Sequence, residues 1–238
     1  MSWHTGRFAA FDTETTGVDV EKDRLVTAAL LLVGGGQPTV PHTWLADPGI
    51  DIPEAASAVH GVTTERARAE GRPAPMVISE VAALLADQIT ARVPLVVMNA
   101  RYDLTLLDRE LQRHGLPSLA EQAGAEPLVL DPLVMDKRAD RFRRGGRKLV
   151  DLARHYDVQL GDDAHDAGAD ALAAARIVYR IATRYPAVQE IDLPELHDMQ
   201  AHWAREQAIG LQEYLRRKDP AAVVEPAWPL VPRPRAGA

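Results

Sequence analysis

The sequence predicts an α/β fold in which a mixed β-sheet is flanked by helices. Three apolar runs have the character of buried strands, and they lie at residues 7–11, 24–33 and 93–98. Between the second and third of these runs, residues 76–90 carry apolar side chains at helical spacing, which indicates a helix with one buried face. Strands and helices that share one chain in this way favour a sheet covered by helices.

The first half of the chain supports this interpretation element by element. A Gly-Gly-Gly-Gln-Pro segment at residues 34–38 is a turn signal, and it leads into a further strand that runs through Trp44. The strand at residues 93–98 is followed by a helix with a buried face, which carries Leu104, Leu107 and Leu111.

The second half adds a strand and two long helices. Residues 128–130 form a short apolar strand that ends at Asp131, and residues 164–171 lead into a long Ala-rich helix. Beyond Pro186 one more amphipathic helix is indicated by Leu196, Met199, Trp203, Leu211 and Leu215. Such a helix packs on its own domain or binds a partner, and packing is the more common outcome.

We therefore expect three parts in the chain: a domain at residues 1–186, a helical extension at residues 187–218 and a Pro/Ala-rich tail at residues 219–238. The tail has a composition that cannot build a core of its own. Trp228 is the tail residue that we expect to be anchored, either on the parent domain or on another protein.

Composition excludes several classes of protein. The 238 residues include 46% hydrophobic residues, as in an ordinary globular protein, and no cysteine, which excludes disulfides and cysteine-bound zinc. We find no apolar signal core and no stretch of membrane-spanning length, so we expect a cytoplasmic protein without a membrane contact. The net charge of −7 is unusual for a protein that binds nucleic acid, but local fields decide where a polyanion binds.

Two acids near the N-terminus are the most informative pair of residues. Asp12 and Glu14 follow the first apolar run, and side chains two apart on a strand point to the same face. Neighbouring carboxylates repel each other unless a cation lies between them, and oxygen ligands suit Mg²⁺ or Mn²⁺. This pattern predicts a magnesium site.

Two distant segments supply further candidate residues for that site. Asn99 and Asp103 follow the strand at residues 93–98, and their spacing of four places them on one face of the helix that begins there. His165 lies at a loop-to-helix junction, and Asp170 lies in the first turns of the Ala-rich helix. Each of these residues alone is more often an ordinary surface or capping residue, so only their joint occurrence is specific.

These motifs carry a family resemblance that covers roughly residues 7–186. The chain resembles the DEDD-family 3′–5′ exonucleases of the DnaQ-like kind, in the subclass with a histidine base. Asp-x-Glu-Thr-Thr-Gly matches residues 12–17, Asn-Ala-x-aromatic-Asp matches residues 99–103, and His-x-x-x-x-Asp matches residues 165–170. Among these, the epsilon-like proofreading exonucleases of bacterial DNA polymerase III are the most similar. The resemblance implies a ribonuclease H-like fold with a five-stranded sheet whose second strand is antiparallel to the others.

The resemblance also implies a set of metal ligands. Asp12 would bridge two Mg²⁺ (or Mn²⁺) ions, Glu14 and Asp170 would complete the site of the ion that holds the attacking water, and Asp103 would hold the second ion. Two ions of this kind activate a water and stabilise the leaving oxygen in phosphodiester hydrolysis. His165 would accept the proton of the attacking water, a role suited to a group that titrates near neutral pH.

The resemblance also implies candidate substrate-binding residues, which are Thr15, Thr16, Asn99 and His60. Thr15 and Thr16 are expected to hold the terminal sugar through backbone groups and hydroxyls. His60 belongs to a His-Gly-Val-Thr segment at residues 60–63, which either shapes the mouth of the site or ends a short helix with Gly61 as its cap.

The strongest basic cluster lies at residues 137–148 and carries seven cations against one acid, Asp140. This segment either grips a phosphate backbone near the site or is a solvated, flexible loop, and the sequence favours neither.

The function predicted from the sequence is a metal-dependent 3′–5′ exonuclease that releases 5′-mononucleotides, with single-stranded DNA as the favoured substrate. An RNA 3′-end trimming exonuclease is the alternative, since contacts to the 2′-hydroxyl cannot be seen in a sequence. A non-hydrolytic module that binds 3′ ends is a second alternative. A third is an exonuclease that is active only with a polymerase or another protein bound to the C-terminal extension.

Overall fold

A computed structural model describes residues 2–160 and 166–233 of the chain. The sheet has six strands, which are β1 (Arg7–Thr15), β2 (Leu25–Gly34), β3 (Val40–Asp47), β4 (Arg72–Pro73), β5 (Leu95–Val96) and β6 (Val129–Leu130), in the order β4-β3-β2-β1-β5-β6. The five expected strands are present, and β4 is a two-residue addition at the edge beside β3. The strand predicted at residues 93–98 is shorter than expected, because only Leu95 and Val96 pair with neighbouring strands.

The directions of the strands confirm the expected topology. Strand β2 is antiparallel to both of its neighbours, β1 and β3, whereas β1, β5 and β6 run parallel to one another. The carboxyl ends of parallel strands meet at one edge of a sheet, which is where sites form in folds of this class. The residues that follow β5 and β6 therefore lie close to the end of β1.

Ten helices surround the sheet in the described residues. They are α1 (Glu54–His60), α2 (Thr64–Glu70), α3 (Ala74–Thr90), α4 (Ala100–Arg113), α5 (Leu119–Ala123), α6 (Pro132–Ala139), α7 (Leu149–His155), α8 (Ala167–Arg184), α9 (Pro186–Gln189) and α10 (Leu193–Leu215). A 3-10 turn at Trp3–Thr5 precedes β1.

Both faces of the sheet are buried, and alternation along β1 separates the two cores. Phe8 and Ala10 pack with Ile177 of α8 on one face, in a core that also contains α6 and α7 residues. Ala9 and Phe11 point to the other face and pack with residues of α3 and α4. Complete burial of aliphatic and aromatic side chains contributes about 1.5–3 kcal/mol each. The even-numbered positions of β1 therefore face α8, which decides where Asp12 and Glu14 point.

The C-terminal helix α10 packs on the domain through residues up to Ala208, whereas its last turns are exposed. Leu196 and Trp203 are buried in the core that contains α8. Leu211 and Leu215, which continue the predicted amphipathic pattern, are 46% and 38% exposed, so the helix packs on the domain over only part of its length. Helix α10 has 23 residues and contacts β6 and the 8-residue helix α6. At about 1.5 Å per residue it extends well beyond α6.

The tail returns from the end of α10 to the surface of α4. The Arg101 guanidinium donates to the carbonyl of Glu225, and Val231 N donates to Thr105 Oγ1 at 3.0 Å. Arg233 makes two hydrogen bonds to the Asp108 carboxylate, at 2.7 and 2.9 Å. The described tail residues thus run along α4 by contacts with the domain rather than through a core of their own. No helix in the described ranges has the length and apolar character needed to span a membrane.

Candidate active site

Three carboxylates converge at the carboxyl end of β1. Asp12 and Glu14 point from the strand toward α8, whose first turn carries Asp170. One carboxylate oxygen from each of the three lies within 4.8 Å of the others. The strand opposite Asp12 presents Ala29, and the small side chain leaves room for the start of α8. Asp12 and Glu14 are therefore joined by an acid from more than 150 residues away in the chain.

The electrostatics of this group are those of crowded like charges. Burial and the charge of Asp103 raise the pKa of Asp12 well above its usual value. Burial and the charge of Asp170 raise the pKa of Glu14 to about 7. Carboxylates with such pKa values hold protons or bind a cation, since otherwise they repel one another. Oxygen ligands in this arrangement fit a hard divalent cation such as Mg²⁺ or Mn²⁺.

Asp103 reaches the same strand end from the opposite face of the sheet. It lies in the first turn of α4 and is 4% exposed, with Oδ1 accepting hydrogen bonds from Thr13 N at 3.1 Å and Thr13 Oγ1 at 2.6 Å. Burial raises the pKa of Asp103 to about 7, although the two bonds from Thr13 oppose the shift. Asp103 is outside the group of three oxygens, but its charge is the largest electrostatic influence on the pKa of Asp12.

Asn99 precedes α4 instead of lying on it, which corrects the expectation of a shared helical face with Asp103. The helix begins at Ala100, and Asn99 has a left-handed backbone (φ 61°), a conformation that Asn tolerates better than most residues. Asn99 N and Ala100 N donate to the two oxygens of Asp131, at 3.1 and 3.0 Å. Asp131 thereby fixes the start of the helix that carries Asp103.

Asp131 is a structural residue of the site that the sequence analysis missed. Its buried carboxylate also accepts hydrogen bonds from Leu133 N, Val134 N and Trp228 Nε1. An Asp-Pro pair after an apolar strand is the signal that could have identified it, because Asp is a preferred N-cap residue and Pro a preferred first helical residue.

The Thr-Thr-Gly segment closes a loop against residues 19–24. Thr16 Oγ1 donates to Asp23 Oδ1 at 2.7 Å, and Thr15 Oγ1 donates to the carbonyl of Gly17 at 2.6 Å. The Tyr102 hydroxyl lies 2.7 Å from Thr15 Oγ1, and burial raises the pKa of Tyr102 to about 12. Both threonine hydroxyl protons are used within the protein, so contact with a sugar remains a prediction that rests on backbone groups.

His60 is the last residue of α1, and Gly61 caps that helix. Gly61 has a φ of 72°, and its N–H donates to the carbonyl of Ser57 at 2.8 Å. Burial lowers the pKa of His60, while contact with the backbone of Thr15 opposes the shift. The capping interpretation is thus confirmed, and the same turn also places the His60 ring beside the Thr-Thr-Gly segment.

His165 lies outside the described residues. The described chain resumes at Asp166, whose Oδ1 accepts a hydrogen bond from Ala169 N at 3.0 Å and caps the N-terminus of α8. Asp166 therefore positions the helix that carries Asp170.

Comparison with known proteins assigns this arrangement to a family. The family model RNase_T, described as "Exonuclease", matches residues 9–178, which is more than half of the chain. The chain belongs to this exonuclease family. The matched segment includes the four acids Asp12, Glu14, Asp103 and Asp170.

The curated relatives of this exonuclease are much larger proteins. It is 24% identical over 180 residues to the PolC-type DNA polymerase III of Streptococcus mutans and 26% identical over 178 residues to that of Lacticaseibacillus paracasei. These segments cover 75% and 74% of the chain but only 11% of each polymerase. The chain thus spans about a tenth of the length of the curated relatives that it matches.

Solved structures confirm the ribonuclease H-like fold. A complex of E. coli Exonuclease I with a dT13 oligonucleotide aligns with a TM-score of 0.63 and 20% identity, covering 77% of this chain and 42% of that one. The zinc-bound form of the E. coli Exonuclease I complex with single-stranded DNA aligns with a TM-score of 0.64 and 19% identity, covering 87% and 45%.

Proposed function

We propose that the chain is a metal-dependent exonuclease that removes 5′-mononucleotides from the 3′ end of DNA. The observation that carries this proposal is the convergence of three carboxylates from β1 and α8 within 4.8 Å, with Asp103 beside them. A group of acids that raise one another's pKa is stable in the ionised form only with bound cations. Membership of an exonuclease family supports the same proposal.

Asp12, Glu14, Asp103 and Asp170 are the residues that would hold two Mg²⁺ (or Mn²⁺) ions. Bound ions of this kind lower the pKa of a coordinated water and neutralise the charge that develops on the phosphoryl oxygens. In our proposal Asp12 lies near the centre of this group, since the charges of Asp103, Asp170 and Glu14 all raise its pKa.

His165 is the proposed general base. It is five residues before Asp170 in the chain, and it directly precedes Asp166, which caps α8. A histidine accepts the proton of the attacking water most effectively when its pKa lies near the working pH. The leaving oxygen is the 3′ oxygen of the penultimate nucleotide, so the product keeps its phosphate on the 5′ carbon.

We infer DNA as the substrate class. The curated relatives are DNA polymerases of the PolC type, and E. coli Exonuclease I has been solved with dT13 and dA16 oligonucleotides. In this proposal Asn99, the backbone of Thr15 and Thr16, and the His60 turn surround the terminal nucleotide. Action in the cytoplasm is part of the same proposal.

The proposal assigns a role to each of the three predicted parts of the chain. Residues 1–186 hold the catalytic residues, residues 187–218 form the helical extension, and residues 219–238 form the tail. A polymerase or another protein is the partner that this proposal assigns to the extension, whose exposed residues include Leu215.

The test uses 5′-labelled oligonucleotides as single-stranded DNA, duplex DNA with a mismatched 3′ end, and RNA, each with Mg²⁺, Mn²⁺ or EDTA. We expect a metal-dependent ladder that shortens from the 3′ end of DNA. Asp12→Asn should lower the rate by about 10²-fold or more, because an amide cannot replace a shared carboxylate. Asp87→Asn is the matched control, since Asp87 is exposed on α3.

Two further results decide the finer parts of the proposal. His165→Ala should lower the rate constant and remove the limb of the pH profile that reports the base. If RNA is shortened faster than DNA, RNA is the substrate class instead of DNA. A lack of shortening with either metal, together with binding of the oligonucleotides, would leave a 3′-end binding module.

A further inference from the structure

A cleft of about 620 Å³ lies beyond the carboxyl ends of β5 and β6. Asn99 and Asp131 form its floor, α6 and the following loop form one wall, and α10 together with tail residues 224–228 forms the other. Asn99 belongs to both regions, because it also precedes the helix that carries Asp103. The cleft therefore adjoins the start of the helix that carries Asp103.

The charge of the cleft is opposite to that of the active site. Its lining includes five cations, Arg101, Lys137, Arg138, Arg141 and Arg147, and two acids, Asp131 and Glu206. The Asp131 carboxylate is already engaged by backbone and indole N–H groups. Burial lowers the pKa of Lys137; the charge of Asp131 opposes this shift, and the charges of Arg147 and Arg101 add to it. The cations thus repel one another in a way that an anionic ligand would relieve.

A buried ion pair holds the basic segment in place. Asp136 is fully buried and is paired with Arg143 at 3.2 Å and also with Arg147. Tyr156 Oη donates a hydrogen bond to Asp136 Oδ1 at 2.8 Å. Arg147 also donates to the carbonyl of Asp140 at 2.8 Å. Two of the seven cations at residues 137–148 therefore hold the loop, and Arg138 and Arg141 remain exposed at the cleft.

Aromatic side chains accompany the exposed cations. The Arg138 guanidinium lies 5.7 Å from the centre of the Trp203 ring, and that of Arg141 lies 5.7 Å from the centre of the Phe142 ring. Phe142 is 89% exposed, so its ring is accessible for stacking on a base. Cations interleaved with an exposed aromatic ring are the features that bind single-stranded nucleic acid, through phosphates and base faces respectively.

We propose that this cleft and the exposed side of residues 137–148 bind the single strand upstream of the nucleotide that is removed. The proposal rests on the proposed function for the direction of the bound strand. The 3′ end would lie at the acidic cluster, and the strand would leave past Asn99. A strand of nucleic acid matches the cleft better than an acidic peptide does, because phosphates repeat along it and each base offers a face to Phe142.

The first experiment measures binding without catalysis. Fluorescence anisotropy in EDTA would compare oligonucleotides of about 4, 8 and 16 nucleotides, which span the usual site sizes for single strands. The full chain is expected to bind the longer strands more tightly. In Arg138→Ala/Arg141→Ala this gain with length should fall by about tenfold, and the slope of log Kd against log salt should fall by about 1.4, or about 0.7 per lost contact.

The matched control is Arg180→Ala/Arg205→Ala, which removes the same charge from exposed positions outside the cleft. This variant should keep both the length dependence and most of the salt slope. Phe142→Ala should weaken binding with little change in salt slope, because stacking carries no charge. Thermal unfolding of each variant would verify that the fold is retained.

A second measurement separates this proposal from the proposed function. A chromogenic nitrophenyl ester of a nucleoside 5′-monophosphate is too short to reach the cleft, so its kcat/KM with Mg²⁺ should be unchanged in Arg138→Ala/Arg141→Ala, while KM for a long strand rises. If the unaltered protein hydrolyses neither substrate, the proposed function fails, and the binding data in EDTA still test the cleft. Unchanged length dependence and salt slope in the cleft variant, or preferential binding of a Glu-rich peptide of similar length, would overturn the inference.

Discussion

The indole Nε1 of Trp228 donates a hydrogen bond of 3.1 Å to Oδ2 of Asp131. The same oxygen accepts a bond of 3.0 Å from the N–H of Ala100, the first residue of α4. One carboxylate oxygen thus connects the C-terminal tail to the helix that carries Asp103. The tail is part of the support of the candidate active site, although it is more than 120 residues away from Asp103 in the chain.

We expect Trp228→Phe to destabilise the protein by about 1–2 kcal/mol, because it leaves a buried carboxylate with one donor fewer. Unfolding in urea would measure this change in free energy. Trp44→Phe is the control, since Trp44 Nε1 donates to Glu80 at 3.2 Å in an exposed setting and its loss should have a smaller effect. Equal destabilisation by the two variants would contradict a special role for the Trp228 bond.

Asp131→Asn should be more damaging than Trp228→Phe. An amide keeps one acceptor oxygen, so the donors that faced the other oxygen, such as Ala100 N, become unpaired. Each buried unpaired donor costs about 1–3 kcal/mol, and we expect a total loss of about 2–4 kcal/mol. Urea unfolding measures the stability, and the rate of 3′ shortening reports whether Asp103 moves. Asp87→Asn on the exposed side of α3 should change neither quantity.

The free energy of unfolding in EDTA should decrease as the pH rises from about 4.5 to about 7. The pKa of Glu14 is about 7 in the folded protein and has an ordinary value of 4.5, so in this window the folded state holds a proton that the unfolded state has released. Stability then falls with rising pH, and above about 7 Glu14 is ionised in both states and its contribution to the dependence ends. Asp103, whose pKa is also raised to about 7, should act in the same direction.

Thermal unfolding of the unaltered protein and of Glu14→Gln tests this dependence. The variant should show a weaker pH dependence in EDTA, since Asp103 and Asp12 still contribute. At a concentration of a hundred times its Kd, Mg²⁺ should stabilise the unaltered protein by about 2.7 kcal/mol. At a fixed Mg²⁺ concentration the stabilisation should be larger at pH 8 than at pH 5. A thermal unfolding midpoint in EDTA that does not change between pH of about 4.5 and about 7 would be evidence against the raised pKa values of these carboxyl groups.

Gly17→Ala should lower both activity and stability. A Cβ at this position would lie 2.6 Å from the Asp23 carboxylate, so the Thr16–Asp23 hydrogen bond that closes the loop must shift. The comparison is Gly210→Ala in α10, where a Cβ meets nothing within 4 Å. That change should stabilise the protein by about 0.5–1 kcal/mol, because Ala favours a helix over Gly. Calorimetry and the rate of 3′ shortening measure both variants, and unimpaired Gly17→Ala would show that the loop can adapt.

The sequence predicted more of the fold at long, periodic elements than at short ones. The helix expected at residues 76–90 is α3 (Ala74–Thr90), because a face of apolar side chains repeats over several turns. The strand expected at residues 93–98 has only two paired residues, since pairing depends on the neighbouring strands and not on local composition. The amphipathic pattern of α10 likewise left open how much of the helix packs on the domain, and Leu211 and Leu215 are exposed because that depends on the neighbouring elements.

The sequence by itself determined which chemical groups are available and which of them share a face. Period-two alternation places Asp12 and Glu14 on one side of β1, and the motif spacing places Asp170 in the first turn of α8. These are local properties of a strand and of a helix start, so they can be predicted from a single segment.

Only the tertiary structure decided which distant groups meet. It brings Asp170 to β1, joins Trp228 to Asp131, and divides the basic cluster into residues that pair with Asp136 and residues that face the cleft. A buried acid requires partners from whatever elements pack around it, and packing depends on side chains that are far apart in the chain. For that reason the support of the candidate site became visible only in the folded protein.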